Sequence, residues 1–169
     1  VTLVTYSYAG GLNSAGATIA RGGFDPILAV FDSGGAQIGQ NDDGGALVPA
    51  DAITGENFDT YLELVNLPAG SYTVSVMEYD NFAIGPNLSN GFTRTGQGNF
   101  TTAFGCIDAQ PAFNDVTGVA GCGRTGNWAF DILNVNEAAV VNTTPEPASL
   151  ALFGTGLLGV AALRRRRRA

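Results

Sequence analysis

The chain contains no histidine and no lysine, and its eight basic residues are all arginine. Without histidine, this chain cannot build a Ser-His-Asp triad, a histidine general base or most of the common zinc sites. Without lysine, it cannot form a Schiff base with a carbonyl substrate or supply the lysine of a phosphate-binding P-loop. The acid–base chemistry open to this chain therefore rests on its carboxylates.

Positive charge is also scarce outside the C-terminus. Up to residue 142, Arg21, Arg94 and Arg124 stand against fourteen acidic residues, which leaves a net charge of −11. Since nucleic-acid binding depends on neutralising phosphates, we expect no nucleic-acid partner, and cations are the natural counterpart. A pair of carboxylates can hydrolyse a glycoside, but every acidic protein offers such pairs, so we expect a protein that is not an enzyme.

An uncharged and largely apolar run lies at the C-terminus. Residues 148–163 follow Pro145, Glu146 and Pro147. A basic cluster comes directly after them, consisting of Arg164, Arg165, Arg166, Arg167 and Arg168. A helix over 148–163 would span roughly 24 Å at ~1.5 Å per residue, against about 30 Å of bilayer hydrocarbon. Because arginines favour the cytoplasmic side, the tail predicts one hydrophobic transmembrane helix with the body of the protein outside.

This order of elements resembles the PEP-CTERM sorting signal of bacterial surface proteins, over residues 143–169. The resemblance implies export through the inner membrane, transient anchoring there by the helix, recognition by an exosortase and cleavage near Pro145-Glu146-Pro147. It also implies a place at the surface or in the extracellular matrix of a bacterium that produces exopolysaccharide. An anchor that is never cut is the alternative. We interpret Val1 as a mature N-terminus left by removal of a signal peptide.

Two cysteines, Cys106 and Cys122, are the only ones in the chain. In an exported protein an even pair predicts a disulfide. A zinc or redox role is less favoured, because two thiols spaced this far apart, with no histidine, make an incomplete zinc site.

The body, residues 1–142, has the length of one domain and a β pattern throughout. Residues 1–8 are β-branched and aromatic, residues 24–31 are apolar on both faces, and residues 71–79 alternate. Residues 127–133 alternate too, which predicts Trp128, Phe130 and Ile132 facing inward. Glycine-rich turns separate these runs, so we predict an all-β fold, an antiparallel β-sandwich or jelly roll, with the first strand uncovered.

Two stretches of the body resemble secreted proteins similar to the bacterial pre-peptidase C-terminal domain. They are residues 22–32 with Asn41-Asp42-Asp43-Gly44, and residues 67–74 with Tyr79-Asp80-Asn81. The resemblance implies an antiparallel β-sandwich that accompanies secreted enzymes or serves as a surface module and sometimes binds calcium. It brings no catalytic residues.

Short acidic loops at strand ends are a suitable source of calcium ligands, because Ca²⁺ takes about six to eight oxygens. Asn41, Asp42 and Asp43 form the best cluster, and Asp80 and Asn81 would contribute from a second loop. Asp25 is a weaker candidate, because Pro26 restricts the chain just after it. The alternative is that these side chains only cap their own turns.

We therefore predict a structural protein of the cell surface or extracellular matrix, which assembles into a polymer or filament by pairing of its first strand with a neighbouring copy. The alternative is a calcium-dependent carbohydrate-binding module for exopolysaccharide. In that case Tyr79, Phe82 and Phe92 would stack on sugar rings, although packing in the core would explain the same aromatic residues.

Overall fold

The computed structural model describes residues 1–106 and 113–140. The predicted C-terminal helix and arginine cluster lie outside these residues, and within them no helix is long and apolar enough to cross a membrane. Val1–Asn136 forms one compact unit. Within the described residues its regular structure is β-strand apart from short 3-10 helices, so the prediction of a β body with antiparallel sheets is confirmed.

The strands of the described residues form two three-stranded sheets and one small hairpin. They are β1 (Thr2–Tyr6), β2 (Gly11–Leu12), β3 (Thr18–Ile19), β4 (Pro26–Phe31), β5 (Gln37–Asn41), β6 (Tyr61–Glu63), β7 (Thr73–Glu78) and β8 (Ala129–Leu133). The 3-10 helices are Gly45–Leu47, Leu88–Asn90, Phe100–Ala103 and Gly118–Gly121. The strand order is β6-β1-β8 in one sheet and β5-β4-β7 in the other, and β2 pairs with β3.

The first strand is central in its sheet. At Leu3, β1 lies opposite Leu62 of β6 on one side and opposite Ile132 of β8 on the other. The prediction of an uncovered first strand is therefore wrong. Both partner strands, β6 and β8, come from distant parts of the chain. The local pattern of residues 1–8 therefore could not predict this pairing.

The core lies on both faces of β4, as the apolar run predicts. One cluster contains Leu3, Leu28 and Val30, and the other contains Ile27, Ala29, Phe31 and Met77. The first cluster joins β4 to β1, so the two sheets pack face to face in the manner of a sandwich. The second cluster lies on the outer face of the β5-β4-β7 sheet, where the chain after β7 covers it.

At Trp128 the last described strand differs from its predicted orientation. Ile132 packs against the cluster between the sheets, as predicted. Trp128 is 45 % exposed, so its predicted inward position is wrong. The reason is that β8 begins at Ala129, opposite Tyr6, so Trp128 lies just outside the paired strand. Its ring stacks on Phe130, with 5.6 Å between the ring centroids.

The predicted disulfide between Cys106 and Cys122 is confirmed. The two Cα atoms lie 5.7 Å apart, within the usual range for a disulfide. The bond closes the segment that leads to Arg124, whose side chain is buried.

Candidate metal centre

The β4–β5 hairpin brings three carboxylates together. Leu28 of β4 lies opposite Asn41 of β5, so Asp42 and Asp43 continue alongside the start of β4, where Asp25 precedes the strand. One carboxylate oxygen from each of Asp25, Asp42 and Asp43 lies within 4.8 Å of the other two. The hairpin thus brings together acidic residues that are far apart in sequence. We call these three residues the carboxylate cluster.

Burial is graded across the carboxylate cluster. Asp25 is 3 % exposed, Asp42 is half-buried and Asp43 is exposed. The Oδ1 atoms of Asp25 and Asp42 are buried and have no hydrogen-bond partner among the described residues. A buried carboxylate oxygen without a partner is costly, so this site favours either a proton or a cation.

The chain around Asp42 and Asp43 is held by its neighbours. Asn41 donates its side-chain amide to the carbonyl oxygen of Tyr61 at 2.7 Å and to that of Asp43 at 3.1 Å. The backbone N–H of Gly44 donates to the carbonyl of Asp59 at 2.8 Å. A Cβ at Gly44 would meet Val48 at 2.5 Å, so glycine is required for this approach. The loop is therefore fixed before any ion binds.

A hydroxyl group joins the two sides of the site. Thr60 Oγ1 contacts the carbonyl oxygens of Pro26 and Asp42. One hydroxyl hydrogen can be donated to only one of them at a time. These carbonyls belong to residues beside or within the carboxylate cluster, and they are oxygens of the kind that Ca²⁺ accepts.

Electrostatics in the carboxylate cluster disfavour three negative charges. Burial, followed by repulsion from Asp42 and Asp43, raises the pKa of Asp25 well above its usual range, although Arg124 partly opposes this. Burial and the neighbouring Asp43 and Asp80 raise the pKa of Asp42 to about 7. Burial and Glu56 raise the pKa of Asp43 as well.

The three arginines of the body leave this charge uncompensated. Arg21 and Arg94 each place a nitrogen 2.6 Å from another carboxylate, on Asp51 and Asp80 respectively. Arg124 lies within 4.0 Å of Asp51 and Asp115, and it lowers the pKa of Asp25 without cancelling the upward shift. Within the described residues, the remaining positive charge must come from a proton or an ion.

Asp80 and Asn81, the predicted second-loop ligands, are occupied elsewhere. Both carboxylate oxygens of Asp80 accept from the guanidinium of Arg94, at 2.7 and 2.6 Å. Asn81 Oδ1 accepts from the backbone N–H of Arg94 at 2.8 Å. This pairing lowers the pKa of Asp80. The carboxylate cluster brings together Asp25, Asp42 and Asp43 without them, and Asn41 serves it by positioning the loop.

The three aromatic residues considered for sugar stacking lie against the core. Tyr79, Phe82 and Phe92 pack on the cluster formed by Ile27, Ala29, Phe31 and Met77. The rings of Tyr79 and Phe82 meet edge to face, with centroids 5.8 Å apart. All three side chains thus take part in packing of the core.

The structure also contains a buried polar network that the sequence did not indicate. Arg124 is 5 % exposed, and its guanidinium lies 3.3 Å from the centroid of the Tyr8 ring. It donates to the carbonyls of Gly23 at 2.6 Å and Tyr8 at 2.7 Å. The scarcity of arginine in the body was the one available signal that this residue has a structural role.

We expect the domain without divalent cations to lose stability as the pH rises from about 4 to about 8. The raised pKa values mean that Asp25, Asp42 and Asp43 bind protons more tightly in the folded chain than in the unfolded one. Protonation therefore stabilises the fold at low pH, and this contribution is lost as the pH passes through the folded pKa. Thermal melting in EGTA across this range measures the effect.

Two other acids set the limits of this pH window. Burial raises the pKa of Glu78 to about 8, which extends the loss at its upper end. Asp51 has a pKa of about 2, so its contribution disappears only in strong acid. Asp42→Asn, which removes one of the groups with a raised pKa, should flatten the slope. A melting temperature that is level or rises over this range would contradict the expectation.

Comparison with known proteins identifies the C-terminus. Residues 143–167 match the PEP-CTERM protein-sorting motif, which confirms the predicted sorting signal. No curated protein and no solved structure matches the chain, so the resemblance of the body to the pre-peptidase C-terminal domain stays a prediction. The motif implies that the chain is exported, processed by an exosortase and sorted to the cell surface or membrane.

Proposed function

We propose that the body of this exported protein is a non-enzymatic surface domain that binds Ca²⁺ through Asp25, Asp42 and Asp43. The observation that carries the proposal is the buried Asp25 carboxylate. It faces two further acids, and one of its oxygens has no hydrogen-bond partner in the part of the chain that the structure describes. An ion there would supply the charge that the arginines do not. It would also tie the start of β4 to the end of β5 and so close the open end of the hairpin.

The chemistry of the donors favours calcium. All candidate ligands are oxygens, which suit hard cations, and the cysteines are held in a disulfide. Ca²⁺ accepts irregular sets of carboxylates, carbonyls and water, whereas Mg²⁺ demands near-ideal octahedral geometry. The exposed Asp43 leaves room for water on the outer side of the ion.

The same geometry argues against carboxylate catalysis. Glycoside hydrolysis needs two carboxyl groups on either side of a scissile bond. Asp25 is too deeply buried for a sugar to reach. A structural ion is thus the better use of this arrangement.

The predicted structural role in the extracellular matrix is supported by the sorting motif. Assembly through β1 is excluded in this fold, because both edges of β1 are paired. A polymer built by strand pairing would have to use an outer strand of one of the sheets, such as β5, β7 or β8.

Terbium luminescence tests the proposed site directly. The backbone N–H of Tyr79 donates to the carbonyl oxygen of Asp25 at 2.8 Å, so this tyrosine lies close to the site. We expect Tb³⁺ bound there to emit on excitation of tyrosine, and Ca²⁺ to displace it. Asp25→Asn should weaken binding by at least about tenfold, since even outer-shell changes at metal sites cost that much.

Two further variants separate binding from its readout. Glu63→Gln removes an exposed acid of β6 and should leave the affinity unchanged. Tyr79→Phe should reduce the sensitised emission but retain the rise in melting temperature with Ca²⁺. At a hundredfold excess of Ca²⁺ over Kd, binding should stabilise the folded protein by about 2.7 kcal/mol. Absence of both Tb³⁺ emission and a calcium-dependent rise in melting temperature at pH 8 would overturn the proposal.

A further inference from the structure

A cleft of about 610 Å³ lies at the other end of β4 from the carboxylate cluster. Three segments form it: the β4–β5 turn at residues 32–35, the start of β7 at residues 71–73, and residues 87–89. We call it the turn cleft. Six residues of strand separate it from Asp25, about 20 Å at ~3.3 Å per residue, so it is a separate site.

Backbone hydrogen bonds hold the turn cleft in shape. The N–H of Leu88 donates to the carbonyl of Gly35 at 2.8 Å, which fixes residues 87–89 against the turn. Asp32 Oδ1 accepts from the N–H groups of Gly34 and Ala36, both at 2.9 Å, which fixes the turn itself. A ligand entering the cleft would therefore find a preformed site and lose little free energy in ordering it.

The walls of the turn cleft carry hydroxyl groups that have no protein partner. Within the described residues, no hydrogen bond to protein is made by the hydroxyls of Ser33, Ser71, Thr73 and Ser89. All four residues are exposed. Such hydroxyls both donate and accept, so they can match the hydroxyls of a ligand.

Apolar surface lies among these hydroxyls. Tyr72 is partly buried, and its own hydroxyl donates to the carbonyl of Pro68 at 2.7 Å, which orients the ring. Leu88 packs on the core and contributes the second apolar group. An aromatic ring and an aliphatic side chain beside several hydroxyls suit a molecule that is polar at its edge and apolar on its face.

The charge of the turn cleft decides the class of ligand. Among the described residues that line it, Asp32 is the one charged residue, and Arg21, Arg94 and Arg124 are engaged elsewhere. With a net charge of −11 on the body, a phosphate or an acidic polymer would be repelled. The turn cleft is preformed, has a volume of about 610 Å³, carries hydroxyls without protein partners and lacks positively charged side chains among its described residues. From these properties we infer that the turn cleft binds a neutral glycan segment. This inference does not depend on the cation site.

Titration by nuclear magnetic resonance tests the inference. The probes are neutral tetrasaccharides of β-1,4-glucan, β-1,3-glucan, α-1,4-glucan and β-1,4-mannan, added to the full ¹⁵N-labelled chain in a detergent without sugar headgroups. Tetragalacturonate is the acidic comparison. We expect at least one neutral tetrasaccharide to shift the amide signals of residues 33–35, 71–73 and 87–89, with and without Ca²⁺, and tetragalacturonate to leave them unchanged.

Matched variants locate the binding. Ser89→Tyr fills the turn cleft and should weaken the glycan at least tenfold, while Ser14→Tyr places the same ring on an exposed serine elsewhere and should not. Ser89→Ala, which removes one hydroxyl without filling space, should weaken binding less. The inference is overturned if no neutral tetrasaccharide binds at millimolar concentration, if the shifts fall outside the cleft, or if tetragalacturonate binds as well. These results would leave the calcium proposal untouched.

Discussion

Replacing Arg124 with methionine is expected to lower the free energy of unfolding by about 3–5 kcal/mol. The guanidinium lies 3.6 Å from Asp51 and 3.9 Å from Asp115, both of which are buried. Removing it leaves these carboxylates short of positive charge in the interior and frees the carbonyls of Tyr8 and Gly23. Breaking a buried pair in this way is far more costly than breaking an exposed one.

Arg94→Met is the matched control for this prediction. Arg94 forms a comparably short ion pair with Asp80, but both side chains are about one-third exposed. Its loss should cost far less than the loss of Arg124, because water screens an exposed ion pair. Urea unfolding of both variants measures the difference in the free energy of unfolding. Arg124→Lys keeps the positive charge but not the several N–H donors of the guanidinium, so its loss should lie between those of the two methionine variants. Equal losses for Arg94→Met and Arg124→Met would show that Arg124 does not act as the centre of a buried network.

Parts of the fold followed from local signals. Asp32-Ser33-Gly34-Gly35 is typical of a tight turn and joins β4 to β5, and the run at residues 24–31 predicted a strand buried on both faces, which β4 confirms. Both patterns arise from residues adjacent in sequence, where periodicity and turn residues carry the information. The disulfide followed from an even cysteine count in an exported chain.

The carboxylate cluster was only partly predictable. Asp42 and Asp43 stood out as an acidic loop, but Asp25 was rated lower because of Pro26. The hairpin register resolves this, since Leu28 opposite Asn41 brings the two ends of the hairpin together. Counting outward from the turn at residues 32–35 would have placed Asp25 near Asp42 without any knowledge of the remaining strands.

Long-range polar contacts could not be read from the sequence. Asp59 accepts from the backbone N–H groups of Ser7, Tyr8 and Ala9, about fifty positions earlier in the chain. No local pattern encodes such a pairing, because a buried aspartate and a turn aspartate look alike until the topology is known. The same reason explains why β1 was mistaken for an edge strand.

Changing both Cys106 and Cys122 to serine is expected to lower the free energy of unfolding by about 3 kcal/mol. The disulfide spans 16 residues, and in the chain-entropy model a loop of this length restricts the unfolded chain by roughly that amount. Cys122 lies two residues before Arg124, and the N–H of Arg124 donates to the carbonyl of Phe113 at 2.8 Å. The disulfide therefore constrains the segment that positions the buried arginine.

Reducing agent gives the control for the disulfide prediction. Dithiothreitol should lower the melting temperature of the natural protein toward that of the double serine variant and leave the variant itself unchanged. Cys122 and Arg124 lie in one segment, so the losses in free energy of unfolding from the double serine change and from Arg124→Met should not add. The variant that combines these changes should be less destabilised than the sum of the two separate losses. Insensitivity of the natural protein to reduction would refute a stabilising role. A disulfide also fits the sorting motif, since such bonds form and persist in oxidising compartments, which a chain reaches by export.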